Sequence, residues 1–239
     1  MDLNINLNRR SEKMKYRRTK SMFFVLLGFL AVALIIPAMA FPVIEPTVKV
    51  TPGTEFPLEV ANDTWVNNGT LFMALHEMIG GEVQRLRQNL QYMKSINITN
   101  LELRMWNPGG NLFIMMYILD LLRDAKLGGV QLSTVGMEII MSAAVPIFML
   151  GETRTINGLG HIMMHPIQWG GYGSPPQNVL DMENRWNVVY ADVVAENSKM
   201  EFQDVMDILS NEDKTSGTWF NAGEALDLEL ITSIGIVNN

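Results

Sequence analysis

The order of apolar and polar residues predicts alternating helices and strands through most of the chain. Apolar side chains recur at helical spacing from Leu71 to Met93, whereas Leu101 to Trp106 alternates as a strand does. Leu112 to Leu122 again has helical spacing, and Val130 to Val135 fits a second strand. The other predicted elements are a strand from Pro57 to Ala61, a buried helix from Met141 to Leu150, short strands from Arg154 to Ile156 and from His161 to Met164, and a longer helix from Met182 to Leu209. This alternation predicts an α/β fold whose ligand-handling loops lie at the carboxyl ends of the strands.

A long apolar segment precedes this region. Residues 21 to 40 contain no charged side chain, and about 20 such residues suffice for a helix to cross a bilayer. Seven of the 18 basic residues but only two of the 25 acidic residues lie before it, so residues 1–20 are expected to stay in the cytoplasm. Ala38-Met39-Ala40 also has the small-x-small spacing of a signal-peptidase site. The segment is therefore predicted to be either a retained anchor, with the domain on the extracytoplasmic side, or a signal cleaved after Ala40 to release a secreted domain.

The rest of the chain has the composition of one acidic domain. Three prolines between residues 41 and 55 predict an extended linker, so the domain is expected to cover residues 56–239. Its excess of acidic residues disfavours nucleic acid as a partner. The chain has no cysteine, which excludes a thiol nucleophile and a thiolate metal site.

Two features of the sequence could belong to a catalytic site. Gly109 and Gly110 follow a predicted strand and open a helix, where backbone N–H groups can face developing negative charge, although a simple turn would have the same sequence. Of the three histidines, His165 lies between an apolar strand and a glycine-rich loop and is the candidate general base. His76 and His161 are interpreted as structural. The sequence lacks an HExxH motif, which disfavours a zinc peptidase.

Several motifs, in order, resemble those of one family. Asn107-Pro108-Gly109-Gly110 stands where that family has S-P-G-G, and Met163-Met164-His165-Pro166 with Gly170-Gly171-Tyr172 resembles M-I-H-Q-P-L-G-G-Y. Asp213-Lys214-Thr215, followed by the segment from Trp219 to Ala225, resembles a D-T segment and F-L-S-A-x-E-A. From Leu101 to Ile236 the chain thus resembles the proteolytic subunit of the Clp protease (ClpP) and its relatives, which include signal peptide peptidase A. The resemblance implies a ClpP/crotonase-like α/β fold of repeated β-β-α units, here preceded by the N-terminal transmembrane or signal helix.

The nucleophile position has two alignments. The family motif is G-x-x-x-S-M-G, and a gap-free alignment from Gly136 places Ile140 in the serine position, which would make an inactive scaffold or binding module. An insertion of two residues places Ser142-Ala143-Ala144 there instead and restores the family spacing to Gly151. We prefer Ser142, because a nucleophile at a tight strand-to-helix turn needs small residues after it. A helix N-cap is the alternative role for this serine.

The resemblance implies a serine endopeptidase that hydrolyses unfolded or short polypeptides. It assigns a triad of Ser142, His165 and Asp213, oxyanion amides at Gly109, Gly110 and Ala143, and a substrate-binding loop containing Gly170 and Gly171. It implies a homo-oligomer and neither a cofactor nor a metal. Beyond a membrane the domain would lack cytosolic ATPases, so ATP-independent proteolysis is expected. A serine-lysine dyad of the signal peptide peptidase A type is disfavoured because no lysine lies in the nucleophile or histidine segments. An acyl-CoA enzyme of the crotonase type is disfavoured because it would not need the His165 and Asp213 segments in this order.

Overall fold

The computed structural model describes residues 64–76, 80–167, 174, 176–211 and 216–235. The strands are β1 Thr64–Asn67, β2 Thr70–Ala74, β3 Asn100–Asn107, β4 Gln131–Met141, β5 Thr153–Asn157, β6 His161–Met164, β7 Thr218–Asn221 and β8 Ser233–Gly235. The helices are α1 Gly80–Ser95, α2 Leu112–Leu127, α3 Ala144–Met149, α4 Gln177–Glu196, α5 Phe202–Ser210 and α6 Ala222–Asp227. The predicted residues 1–20, 21–40 and 41–55 and the strand from Pro57 to Ala61 lie outside these ranges.

The described strands form one sheet that branches at β4. The main path runs β1-β2-β3-β4-β5-β8, and β6 and β7 leave it beside β4. Strands β2 to β5 are parallel, whereas β1 and β7 pair antiparallel with β2 and β6. Because β3, β4 and β6 are parallel neighbours, their carboxyl ends meet at one edge of the sheet. That is the edge where a parallel sheet places its functional loops.

Strand β4 contains a bulge of two residues. Met105 lies opposite Gly136, but Asn107 lies opposite Ile140, so two steps along β3 correspond to four along β4. Before the bulge β4 pairs with β5, and after it β4 pairs with β6. A bulge bends its strand and re-aims the residues that follow. Here it carries the end of β4 from one branch of the sheet to the other.

Helix α3 lies in the centre of the core. All six of its residues are buried, and it contacts β4, β6, α2 and α4. Helices α2 and α4 turn apolar faces inward, with Met115, Ile118, Leu119 and Leu122 on α2 and Tyr190, Ala191, Val193 and Val194 on α4. A helix enclosed in this way cannot shift without opening the core. The turn that enters α3 is therefore held by the whole domain.

The sequence prediction was right for most of these elements and wrong for two. The strands from Leu101 and His161 and the helix from Leu112 are confirmed, with ends that differ by a few residues. The predicted helix from Leu71 is wrong at its start, because Leu71 and Met73 are buried on β2 and the described helix begins at Gly80. Leu71 and Leu75 fit a period of two as well as a helical spacing.

The predicted long helix from Met182 to Leu209 is in fact two helices. Helix α4 ends at Glu196 and α5 begins at Phe202. At the break, Asn197 donates its side-chain N–H to Val193 O at 2.8 Å, and Ser198 Oγ donates to Val194 O at 2.7 Å. Such side chains satisfy the last helical carbonyls and end a helix.

No helix in the described ranges is both long enough and apolar enough to span a membrane.

Candidate active site

Ser142 lies at a sharp turn between β4 and α3. Its φ is +54°, in the left-handed region that residues other than glycine rarely adopt. Its N–H donates to Met163 O at 2.8 Å, and its carbonyl accepts from Val145 N at 3.0 Å and from the Tyr190 hydroxyl at 3.1 Å. A strained serine at a strand-to-helix turn is the geometry of a nucleophile elbow. The left-handed backbone of Ser142 costs about 1–3 kcal/mol, which contacts in the surrounding structure must offset.

Gly109, the first of the two predicted glycines, lies directly against this elbow. A Cβ added to Gly109 would lie 2.6 Å from Ser142 Cβ and 2.8 Å from Met141 O, and the φ of Gly109 is +92°. No other residue fits there without displacing the turn. The structure thus brings the predicted oxyanion loop and the predicted nucleophile together, although they come from different strands.

Asn107 holds the glycine loop in place. Its side chain is fully buried, its Oδ1 accepts from Gly109 N at 2.9 Å and its Nδ2 donates to Leu75 O at 3.0 Å. Of the three predicted oxyanion donors, the Gly109 N–H is therefore directed at a side chain of its own loop. Sequence reasoning missed this role of Asn107. The sequence did contain a signal for it, an asparagine just before Pro-Gly. In turns, an asparagine side chain often hydrogen-bonds to the backbone of the residue two positions later.

Ile140, the other candidate for the nucleophile position, is part of the core. It is completely buried and lies in the paired part of β4, opposite Asn107 on one side and Ile162 on the other. It also fills the space beside Gly136, where an added Cβ would meet Ile140 Cγ1 at 3.1 Å. Ile140 lies within the strand, whereas Ser142 occupies the turn.

His165 follows β6, the strand next to the end of β4. Met163 of β6 lies opposite Met141 and accepts the Ser142 N–H, so the histidine comes two residues after that bond. The ring is half-buried, and its Nδ1 is hydrogen-bonded to Pro166 O. Within the described residues, Ser142 and His165 do not hydrogen bond to each other. The structure places the two on adjacent strand ends, with the imidazole bonded to its own loop.

The remaining predicted site residues lie outside the described ranges. These are Asp213, Gly170 and Gly171. Strand β7 nevertheless shows where the chain returns after Asp213, because Thr218 lies opposite Met164, the residue before His165. The two motifs that resemble the family's histidine and aspartate segments thus border neighbouring strands.

The other two histidines lie at the start of β6 and just after β2. His161 is exposed at the start of β6, edge-on to Trp219 with ring centroids 6.2 Å apart. His76 follows β2, and its Nδ1 is buried without a hydrogen-bond partner. The described residues contain no cluster of three or more acidic or histidine side chains that could hold a metal.

Comparisons with known proteins identify the fold. No protein-family model and no curated protein matches the sequence. A solved structure of a point mutant of ClpP1 from Listeria monocytogenes is similar, with a TM-score of 0.58 and 17% identity over 71% of this chain and 92% of that one. The protein therefore has a ClpP-like mixed α/β fold, as its motifs predicted.

Proposed function

We propose that the protein is a serine peptidase in which Ser142 is the nucleophile, His165 the general base and Asp213 the residue that orients the imidazole. The observation that carries the proposal is the left-handed Ser142 at the turn into α3, with Gly109 packed against it. A strand-to-helix turn exposes the serine Oγ and directs the next backbone N–H to the same place. A plain N-cap serine has an extended backbone instead.

The bulge in β4 supports Ser142 over Ile140. The alignment that favours Ser142 needs two residues more than the family motif between Gly136 and the serine. The register of β3 against β4 contains two additional residues in that interval. An insertion of that size would be absorbed within the strand, since Ser142 lies at the turn while Ile140 lies in the core.

The proposed reaction is the hydrolysis of a peptide bond through an acyl-enzyme. His165 takes the proton of Ser142 Oγ as the oxygen attacks the substrate carbonyl, and Asp213 stabilises the imidazolium. The N–H groups of Gly110 and Ala143 stabilise the oxyanion, since that of Gly109 is bonded to Asn107. The imidazolium then gives its proton to the leaving amine. Finally, water deprotonated by His165 cleaves the acyl-enzyme and restores the serine.

The setting of the reaction is part of the proposal. Ser21 to Ala40 would hold the domain at a membrane on the extracytoplasmic side, or release it if cleaved after Ala40. Substrates would be unfolded or short polypeptides bound beside Gly170 and Gly171, hydrolysis would not depend on ATP, and the protein would act as a homo-oligomer. The membrane setting rests on the residue pattern alone.

One observation favours a second candidate, an inactive ClpP-like scaffold. The Nδ1 of His165, which a triad aspartate would bind, is bonded to Pro166 O instead. The active arrangement requires the ring to exchange that carbonyl for Asp213 and to turn toward Ser142. A protein that never makes this exchange would keep the fold without the chemistry.

Hydrolysis of fluorogenic peptides by the full-length protein separates the two functions. We expect activity without ATP, and a fall in kcat/KM of at least about 10³-fold in Ser142→Ala. The matched control is Ser133→Ala on the same strand, which loses only an exposed hydrogen bond from Thr153 and should retain the activity. Equal activity in Ser142→Ala, or a folded wild type that hydrolyses nothing, would contradict the proposal.

A further inference from the structure

Tyr190 connects helix α4 to the nucleophile elbow. Its side chain is 3% exposed, and its hydroxyl donates to Ser142 O at 3.1 Å across 48 positions of sequence. The residues that follow it on the inner face of α4, Ala191, Val193 and Val194, are fully buried. The phenol is therefore anchored in the core with its polar end at the turn.

The accepting carbonyl belongs to the peptide that carries a proposed oxyanion donor. Ser142 C=O and Ala143 N–H are parts of one planar trans peptide, so they point in opposite directions. Whatever fixes the carbonyl therefore fixes the N–H. Val145 N–H donates to the same carbonyl at 3.0 Å, and the two donors together occupy both of its acceptor sites.

We propose that Tyr190 is a positioning residue that orients the Ser142–Ala143 peptide so that the Ala143 N–H faces the oxyanion. This inference rests on the proposed peptidase function and adds to it a residue from a distant helix. Hydrogen bonds to a peptide carbonyl also polarise the N–H on the other side. The left-handed backbone of Ser142 makes the restraint necessary, because a strained peptide relaxes when its partners are removed.

The chemistry of the phenol suits this role. Burial raises the pKa of Tyr190 well above its ordinary value, so the hydroxyl remains a neutral donor wherever the protein is folded. An anionic phenolate beside a carbonyl and a forming oxyanion would oppose the reaction. The desolvated site prevents that state.

The test compares Tyr190→Phe with a control that loses a similar hydroxyl-to-carbonyl bond on α3. Thr134 Oγ1 donates to Phe148 O at 2.8 Å in a buried position at the far end of that helix. Tyr190→Phe and Thr134→Val each remove one buried hydroxyl bond to a backbone carbonyl, so both should lower the melting temperature. Only Tyr190→Phe should affect the oxyanion site.

The measurements are kcat, KM and the affinity for a peptide boronate, which forms a tetrahedral adduct with serine. In Tyr190→Phe we expect kcat and boronate affinity to fall about tenfold with little change in KM, less than the roughly 10²–10³-fold loss on deleting a direct donor. In Thr134→Val all three should stay within about twofold of wild type. If Tyr190→Phe fails to fold, Tyr190→Met, which fills the space without a hydroxyl, takes its place.

Two results would overturn the inference, and only the second would also overturn the peptidase proposal. If the wild type is active and Tyr190→Phe behaves as Thr134→Val does, Tyr190 only stabilises the fold and the peptidase proposal stands. If the folded wild type neither hydrolyses peptides nor binds the boronate, the peptidase proposal fails and the positioning role fails with it.

Discussion

The two halves of the candidate site are built in different ways. On the nucleophile half, the Asn107 side chain accepts from Gly109 N, Gly109 packs against Ser142, and the Ser142 backbone is hydrogen-bonded to Met163 and Val145. On the histidine half, one half-buried ring bonds to the carbonyl of the next residue, Pro166. The nucleophile half is a property of the fold, whereas the histidine half depends on side-chain orientation. Substitutions in the first should therefore disturb both stability and activity, and substitutions in the second should disturb activity alone.

The largest expected effect is on the histidine half. In His165→Ala, kcat/KM should fall by about 10³-fold or more, because the proposed serine nucleophile would lose its general base. The free energy of unfolding should change by no more than about 0.5 kcal/mol, since the ring is half-buried and its bond lies within its own loop. Peptide hydrolysis and chemical denaturation measure the two quantities.

His161→Ala is the control for this substitution, because His161 is exposed at the start of β6, the strand that His165 follows. It should leave both quantities unchanged. A His165→Ala variant that is strongly destabilised, or that hydrolyses peptides at the wild-type rate, would remove the distinction between the two halves.

Gly109→Ala should give the next largest effect, and here stability and activity should fall together. The added Cβ would collide with Ser142 Cβ and Met141 O in a left-handed backbone, at a cost of about 2–3 kcal/mol. Thermal unfolding and kcat are the measurements.

Gly81→Ala provides the matched comparison. Gly81 lies on α1 with nothing within 4 Å of an added Cβ, so the same substitution there should be neutral or stabilise by up to about 1 kcal/mol. Equal effects of the two substitutions would show that Gly109 is not enclosed as described.

The smallest expected effect is that of Asn107→Ser, which introduces the serine of the S-P-G-G motif that Asn107-Pro108-Gly109-Gly110 resembles. Serine cannot reach both Leu75 O and Gly109 N, so one buried polar group loses its partner, at a cost of about 1–2 kcal/mol. Activity should fall severalfold as the glycine loop loosens. Unchanged unfolding and unchanged kcat would mean that the loop is held by its backbone alone.

The sequence was most informative where a local pattern decided the structure. Alternation located β3, and the motif spacing indicated two inserted residues before Ser142, an interval in which the register of β4 contains a bulge. Local pattern failed at Leu71, because Leu71 and Leu75 are four residues apart and that spacing fits both a strand and a helix. It also failed at the break between α4 and α5, which Asn197 and Ser198 form with their side chains.

The long-range contacts of the site were not accessible in this way. The bond from Tyr190 to Ser142 joins a helix to a turn 48 positions away, and a tyrosine on the apolar face of a helix is an ordinary core residue. The buried side chain of Asn107 is likewise defined by its contact with Leu75, which follows β2 much earlier in the chain. Neither contact leaves a periodic pattern in the sequence.

The central claim is that Ser142 is a reactive nucleophile. Its most direct test is to treat the full-length protein with a fluorophosphonate and to locate the modified residue by peptide mass spectrometry. We expect one adduct, on Ser142, that is absent from Ser142→Ala and present in Ser133→Ala. An adduct on another residue, or none on the folded wild-type protein, would contradict the account.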